Sequence, residues 1–198
     1  MMRLFVAIAP PPDALSELEQ TVASLRPDWP RLRWVGQERW HVTLAFLGTV
    51  DEGRLDGLRT RLGRAAGRHR PAEVRIGRGG AFPSAAKARV LCAHLDGQRE
   101  ELAGLGALAA SVAAGARRAG APAQDEGRRF RPHVTLARSR EPADVSALVE
   151  TLRGFNGSVW QADRIHLIQS HPGPRPSYQT IAGWPLRSGA ARGSSSSA

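Results

Sequence analysis

The chain has 198 residues, a formal net charge of +10 and a single cysteine. This length suffices for one full domain or for two small lobes that share a core, and one cysteine excludes an intramolecular disulfide and a cysteine-rich zinc site. Lys87 is the only lysine, so arginine, whose planar guanidinium fits phosphate, carries the excess charge. The charge therefore indicates either a polyanionic partner or an arginine-for-lysine bias of the genome.

The apolar pattern predicts one domain over residues 1–187, built from alternating strands and helices. Strands are predicted at 4–9, 31–35, 41–48, 73–78, 88–95, 130–138, 158–161, 164–169 and 178–182. Helices are predicted at 13–25, 51–68, 98–119 and 142–153, with loops at 79–83, 120–129 and 171–176. Small polar residues at 188–198 predict a disordered tail. Helices backing antiparallel strands in this order predict an α+β fold.

No targeting or membrane segment is predicted. The first apolar run, at 4–9, is too short for a signal peptide and is followed by three prolines. No stretch approaches the length needed to span a bilayer. We therefore expect a cytoplasmic protein that does not bind membranes, and nothing in the sequence calls for a protein partner or for more than a monomer.

One phrase occurs twice: His41-Val42-Thr43-Leu44 and His133-Val134-Thr135-Leu136. Because side chains alternate along a strand, each histidine shares a face with the threonine two positions later. The valine and leucine of each phrase lie on the opposite face, where they bury in the core. The phrases predict two imidazoles and two hydroxyls on one surface, and their separation suggests a duplication that gives two similar lobes.

The two phrases in their surroundings resemble the paired signatures of the two-histidine (2H) phosphoesterases, within which the chain is most similar to the bacterial and archaeal RNA 2′,3′-cyclic phosphodiesterases, also called 2′-5′ RNA ligases. The resemblance extends to the start of the chain at 3–8, to 33–35, to 81–83 and to Tyr178. It implies a bilobal fold, two pseudo-symmetric antiparallel sheets backed by helices, with the motifs facing each other across a central cleft. It also implies hydrolysis of an RNA or nucleotide 2′,3′-cyclic phosphate without a metal or other cofactor.

Two histidines suit this chemistry because a water must lose a proton while a ribose oxygen gains one. The resemblance makes His133 the base and His41 the acid on the 3′ oxygen, which leaves a 2′-phosphate; the residues alone do not decide this polarity. Thr43 and Thr135 are expected to donate hydrogen bonds to the non-bridging phosphate oxygens. The remaining histidines, His69, His94, His166 and His171, are expected to be structural.

Other candidates lie near the motifs. Arg131 shares the face of His133, whereas strict alternation places Arg138 on the opposite face unless a bulge turns it to the phosphate. Tyr178 is a candidate for stacking on a base. Aromatic residues expected to pack in or beside the core are Phe5, Phe46, Phe82, Trp34 and Trp40.

Three alternatives stay open. The same catalytic groups suit reversible 2′-5′ RNA ligation, or cleavage of another cyclic or 2′-5′-linked nucleotide. A non-catalytic RNA-binding protein explains the charge alone and predicts salt-dependent affinity without turnover. A zinc site at the motif histidines is disfavoured because no third ligand lies at a recognisable spacing.

Overall fold

The computed structural model describes residues 1–124, 127, 129–173 and 176–187. The tail predicted at 188–198, and parts of the loops predicted at 120–129 and 171–176, lie outside these residues. Strands and helices alternate along the described chain. In order they are β1 Met2–Ile8, α1 Pro12–Ala23, β2 Arg33–Trp34, β3 Val42–Val50, α2 Leu55–Ala66, β4 Ala72–Phe82, β5 Ala88–Asp96, α3 Arg99–Arg118, β6 His133–Ala143, α4 Ser146–Thr151, β7 Trp160–Ala162, β8 Arg164–His171 and β9 Ser177–Pro185.

The strands form one open antiparallel sheet, in the order β7-β4-β5-β6-β3-β1-β8-β9, with β2 paired to β6 beside this path. The predicted α+β fold is confirmed. The two sheets expected from the resemblance are the two halves of this continuous sheet. The halves meet at the motif strands β3 and β6, which are joined through one residue pair, Val42 with Val134.

The two halves have equivalent strand orders. Counted outward from the centre, one half is β3-β1-β8-β9 and the other is β6-β5-β4-β7. In each half, the innermost strand carries a histidine motif and its neighbour precedes it in the chain. The third strand, β8 or β4, follows the motif strand of the opposite half in the chain, so strands are exchanged between the halves. β9 follows β8 in the chain and pairs with it. This exchange places both motifs at the centre of the sheet.

The helices cover one face of the sheet and leave the face that carries the histidines open. Helices α2 and α3 pack together, and α1, α3 and α4 lie against β4. Their buried leucines, such as Leu18, Leu62 and Leu105, join the motif residues Val42 and Val134 in the main core. A separate small cluster lies on the opposite face and consists of Phe5, Ala7 and Ile168.

Two of the predicted element boundaries that are wrong lie next to β4 and β6. The loop predicted at 79–83 is mostly strand, because β4 continues to Phe82. Glycine suits this strand because a Cβ on Gly80 would overlap Nε2 of His94. The helix predicted from Pro142 begins only at Ser146, since Ala143 still pairs with Ala88 in the sheet.

Candidate active site

The structure places His41 and His133 at the centre of the open face, in matching environments. The His41 ring packs on Phe5 at 4.7 Å between centroids, and the His133 ring packs on Phe82 at 5.0 Å. Tyr178 adds an edge contact to His41 at 5.4 Å. Aromatic rings therefore hold both imidazoles in place.

Each imidazole makes the same hydrogen bond to the backbone two residues earlier. Nδ1 of His41 lies 2.7 Å from the carbonyl oxygen of Arg39, and Nδ1 of His133 lies 2.7 Å from that of Arg131. A carbonyl oxygen only accepts, so Nδ1 carries the proton in both rings. In the neutral state, each Nε2 therefore has a lone pair available for proton transfer.

Burial lowers the pKa of both histidines below the ordinary value. The pKa of His41 falls to about 4, chiefly through burial, although its bond to the Arg39 carbonyl opposes the shift. The pKa of His133 is lowered for the same main reason. The Arg138 guanidinium lowers the pKa of both rings, and His133 lowers that of His41. The two imidazoles thus share one electrostatic environment and are neutral at pH 7 in the free protein.

The register of the motif strands predicts that each threonine lies beside the opposite motif's histidine. Because β3 and β6 are antiparallel and pair at Val42 and Val134, extending the register by one residue sets His41 opposite Thr135 and Thr43 opposite His133. The histidines are then diagonal neighbours, with a backbone separation of roughly 7–8 Å expected from sheet geometry. Both valines are fully buried, so these four flanking side chains share the open face.

Arg138 lies on the histidine face because of a bulge. In β6, Thr135 pairs with Cys92 and Arg138 with Val90, so three residues of β6 span two of β5. This extra residue reverses the alternation after Leu136 and turns Arg138 toward the site. Of the two orientations open from the sequence, the structure adopts the one that points to the histidines.

The prediction that Phe46 belongs to the core is wrong, for the same reason. In β3, Thr43 pairs with Ala7 and Phe46 with Phe5, which again sets three residues against two. Phe46 is turned to the open face, where its side chain is 41% exposed. Phe5 is buried as predicted, in the small cluster with Ala7 and Ile168, and Phe82 is half-buried against the His133 ring. Trp40 is buried in that core as predicted.

A groove of about 670 Å³ opens beside the histidines, between β3 and the segment that leads into β6. One wall carries Thr43 and Phe46. The other carries Arg131 and His133, and small residues of α3 such as Ala113 form part of the lining. We call this cavity the α3 groove. The guanidinium carbon of Arg131 lies 5.9 Å from the Phe82 ring centroid, so Arg131 lies near His133 as predicted.

Comparisons with known proteins identify the family. The family model described as the 2′-5′ RNA ligase superfamily matches residues 10–174. The chain belongs to this superfamily. The resemblance to the two-histidine phosphoesterases is thereby confirmed.

Two curated relatives are named RNA 2′,3′-cyclic phosphodiesterase. The protein of Bacillus subtilis is 30% identical over 75% of this chain and 78% of its own length. That of Geobacillus stearothermophilus is 27% identical over 92% of this chain, which spans only 56% of that relative's length. Among solved structures, the Thermus thermophilus protein TT0787 superposes with a TM-score of 0.76 at 27% identity, covering 96% of this chain and 100% of that one. E. coli LigT shares the fold, with a TM-score of 0.68 at 24% identity, covering 94% of this chain and 98% of its own.

The position of His94 beside His133 was not predicted from the sequence. It pairs directly with His133 across β5 and β6, and its ring meets the edge of Phe82 at 5.9 Å. Burial lowers the pKa of His94, and His133 contributes to the shift. The alternation of β5 alone gave no sign of this, because only the pairing of β5 with β6 brings the two histidines together. Arg39 and Arg131, which supply the two carbonyl acceptors, had a detectable signal: the repeat extends to Arg-x-His-Val-Thr-Leu-Ala.

Two features are absent from the described part of the chain. No helix there is long and apolar enough to cross a membrane. Among the same residues, no group of three or more histidine, cysteine, aspartate or glutamate side chains is arranged to hold a metal ion.

Proposed function

We propose that this protein hydrolyses the 2′,3′-cyclic phosphate at the end of an RNA or nucleotide, giving a 2′-phosphomonoester. One observation carries the proposal: the two motif imidazoles, from opposite halves, are close enough for His133 to lower the pKa of His41, and each is held through Nδ1 so that Nε2 is available. A base and an acid on either side of a phosphorus atom are what in-line attack by water requires. The names of the curated relatives support the same reaction.

In the proposed reaction, Nε2 of His133 takes a proton from a water as its oxygen bonds to phosphorus. The bond from phosphorus to the 3′ oxygen breaks, and His41 donates a proton from Nε2 to that oxygen. The products are a 3′ hydroxyl and a 2′-phosphomonoester. Assignment of the acid and the base to particular histidines follows the family resemblance, and the reverse assignment predicts a 3′-phosphomonoester.

The cationic form of His41 is required for the acid role, although burial disfavours that form in the free protein. An anionic phosphate between the rings favours the imidazolium, because an opposite charge at close range raises a histidine pKa. Substrate binding thus prepares the acid. The hydroxyls of Thr43 and Thr135 donate to the non-bridging oxygens, and the fixed charge of Arg138 stabilises the negative charge that develops there.

The deciding experiment uses a 5′-labelled oligonucleotide with a 2′,3′-cyclic phosphate end, incubated in excess chelator. We expect conversion to the 2′-phosphomonoester, identified by comparison with 2′- and 3′-phosphorylated standards. His69→Gln serves as the control for His41→Ala and His133→Ala, because His69 lies away from the site and contacts Ser111 of α3. Binding without turnover would instead support a non-catalytic RNA-binding protein, and activity lost only in chelator would overturn the metal-independent mechanism.

A second candidate is 2′-5′ RNA ligation, favoured by the description of the family model. The same site would then activate a 5′ hydroxyl instead of water, with the 2′,3′-cyclic end as the other substrate. Adding an acceptor oligonucleotide with a 5′ hydroxyl to the same assay distinguishes the two reactions. A longer labelled product identifies ligation, and its absence leaves hydrolysis.

A further inference from the structure

A second groove of about 530 Å³ adjoins the α3 groove. We call it the His94 groove. Its polar lining side chains are Arg78, His94, Asp96, Arg129 and Arg131. It shares Arg129 and Arg131 with the α3 groove, so the two cavities are continuous along this wall of the site.

The His94 groove is positively charged and directly joined to the catalytic centre. Three arginines face one carboxylate, Asp96, which lies 3.7 Å from Arg78 in an exposed ion pair. After burial and His133, the charges of Arg78 and Arg131 also lower the pKa of His94, and Asp96 opposes the shift. His94 lies opposite His133 in the sheet. An anion bound beside His94 would therefore lie close to His133, its partner in the sheet.

The space occupied by His94 depends on a glycine in the neighbouring strand. Gly80 and Cys92 pair in β4 and β5, and a Cβ on Gly80 would overlap Nε2 of His94. In the other half, β8 is equivalent to β4, and Ala7 is equivalent to Cys92. Ala7 pairs with His166, whereas Cys92 pairs with Gly80. The two halves thus differ at this point, and the His94 groove lies in the half with β5.

We propose that the His94 groove binds the phosphodiester one nucleotide upstream of the cyclic end, so that the preferred substrate is an RNA chain rather than a free cyclic mononucleotide. This inference rests on the proposed function. The cyclic phosphate occupies the histidine pair, the chain passes Arg131, and Arg78 and His94 hold the next phosphate. Arginine suits this task because its guanidinium donates forked hydrogen bonds to phosphate oxygens.

The test compares two dinucleotides that both end in a 2′,3′-cyclic phosphate. One has a natural phosphodiester between its nucleotides, and the other has a neutral methylphosphonate, assayed as separated diastereomers. For the wild type, we expect kcat/KM to favour the charged linkage by about 10-fold or more, the effect of a hydrogen bond to a charged group. Because the measurement is a ratio between two substrates of the same protein, a general loss of activity cancels.

Arg78→Gln and His94→Gln are each expected to reduce this preference at least about threefold. Each variant removes one of the two groups that share the roughly 10-fold effect. Arg153→Gln is the matched control, since Arg153 is also an exposed, ion-paired arginine and lies in the turn that packs behind β4. Equal kcat/KM for both linkages in the wild type, or a preference that both groove variants retain, would overturn the inference alone. Absence of turnover on both dinucleotides would overturn the proposed function and the inference together.

Discussion

Phe46 and Arg138 occupy equivalent positions in the two halves of the sheet. Each follows its motif histidine by five residues, and each reaches the open face because a bulge adds one residue to the motif strand. At these equivalent positions, one half presents an aromatic ring to the open face and the other half presents a cation. The pseudo-symmetric sheet therefore carries an asymmetric site, which fits the proposed substrate, with its leaving group on one side and the attacking water on the other.

The first prediction concerns the imidazoles. Replacing His41 or His133 by alanine should lower kcat by about 10²–10⁴-fold, the usual contribution of a general acid or base. Turnover of the cyclic-phosphate oligonucleotide under saturating substrate measures this, with His69→Gln as the control. Near-normal turnover in either alanine variant would contradict acid–base catalysis by the pair.

The second prediction concerns the pH dependence of kcat/KM, which reports the free protein. The profile should be bell-shaped, because one imidazole must be neutral and the other protonated. Burial lowers both pKa values from 6.5, that of His41 to about 4, so the maximum should lie below pH 6.5 and activity should fall above it. The bound phosphate raises these pKa values, so the basic limb of kcat should lie at higher pH than that of kcat/KM. A rise of kcat/KM that continues to pH 8 would contradict this.

The third prediction concerns Arg138. Arg138→Gln should lower kcat/KM by about 10–100-fold, as expected for loss of a charge-assisted hydrogen bond. Because the guanidinium lowers the pKa of both histidines, its removal should also move both limbs of the profile to higher pH. Phe46→Leu, at the equivalent position, changes no charge and should leave the limbs in place. Unmoved limbs in Arg138→Gln would show that the arginine does not act on the imidazoles.

The fourth prediction concerns the hydroxyls. Thr43→Val and Thr135→Val retain the β-branched shape while removing the donor, so each should lower kcat by about 10²-fold, as loss of an oxyanion donor does. Thr49→Val is the matched control, since Thr49 lies exposed further along the same strand. If KM rises and kcat does not change, the hydroxyls contribute to ground-state binding only.

The fifth prediction concerns stability. The pKa of His41 is lowered to about 4 in the folded protein, against 6.5 in the unfolded chain, so protonation favours unfolding. As the pH falls from 7 to 5, protonation of His41 in the unfolded chain should therefore lower the free energy of unfolding by about 2 kcal/mol. The loss should begin near pH 6.5. Denaturant unfolding of the wild type and His41→Gln at both pH values measures it. Parallel pH dependences in the two proteins would contradict the shift.

The local pattern was enough to predict which side chains of each motif share a face. Alternation along a strand separates His41 and Thr43 from Val42, and that separation holds because it involves only three consecutive residues. The repeated motif likewise indicated two equivalent halves and the family. The longer seven-residue repeat, which includes Arg39 and Arg131, was also readable from the sequence.

The orientation of Phe46 and Arg138 was decided by tertiary structure, since strict alternation places both on the wrong face. A bulge arises where one strand has an extra residue relative to its partner. Whether β3 and β6 bulge depends on their partners β1 and β5, which are distant in the chain. The same dependence hid His94, which becomes a neighbour of His133 only through strand pairing. The sequence by itself determined which residues form the candidate site and which face each motif presents, because alternation along a strand is local; the pairing of distant strands decided which other side chains surround them.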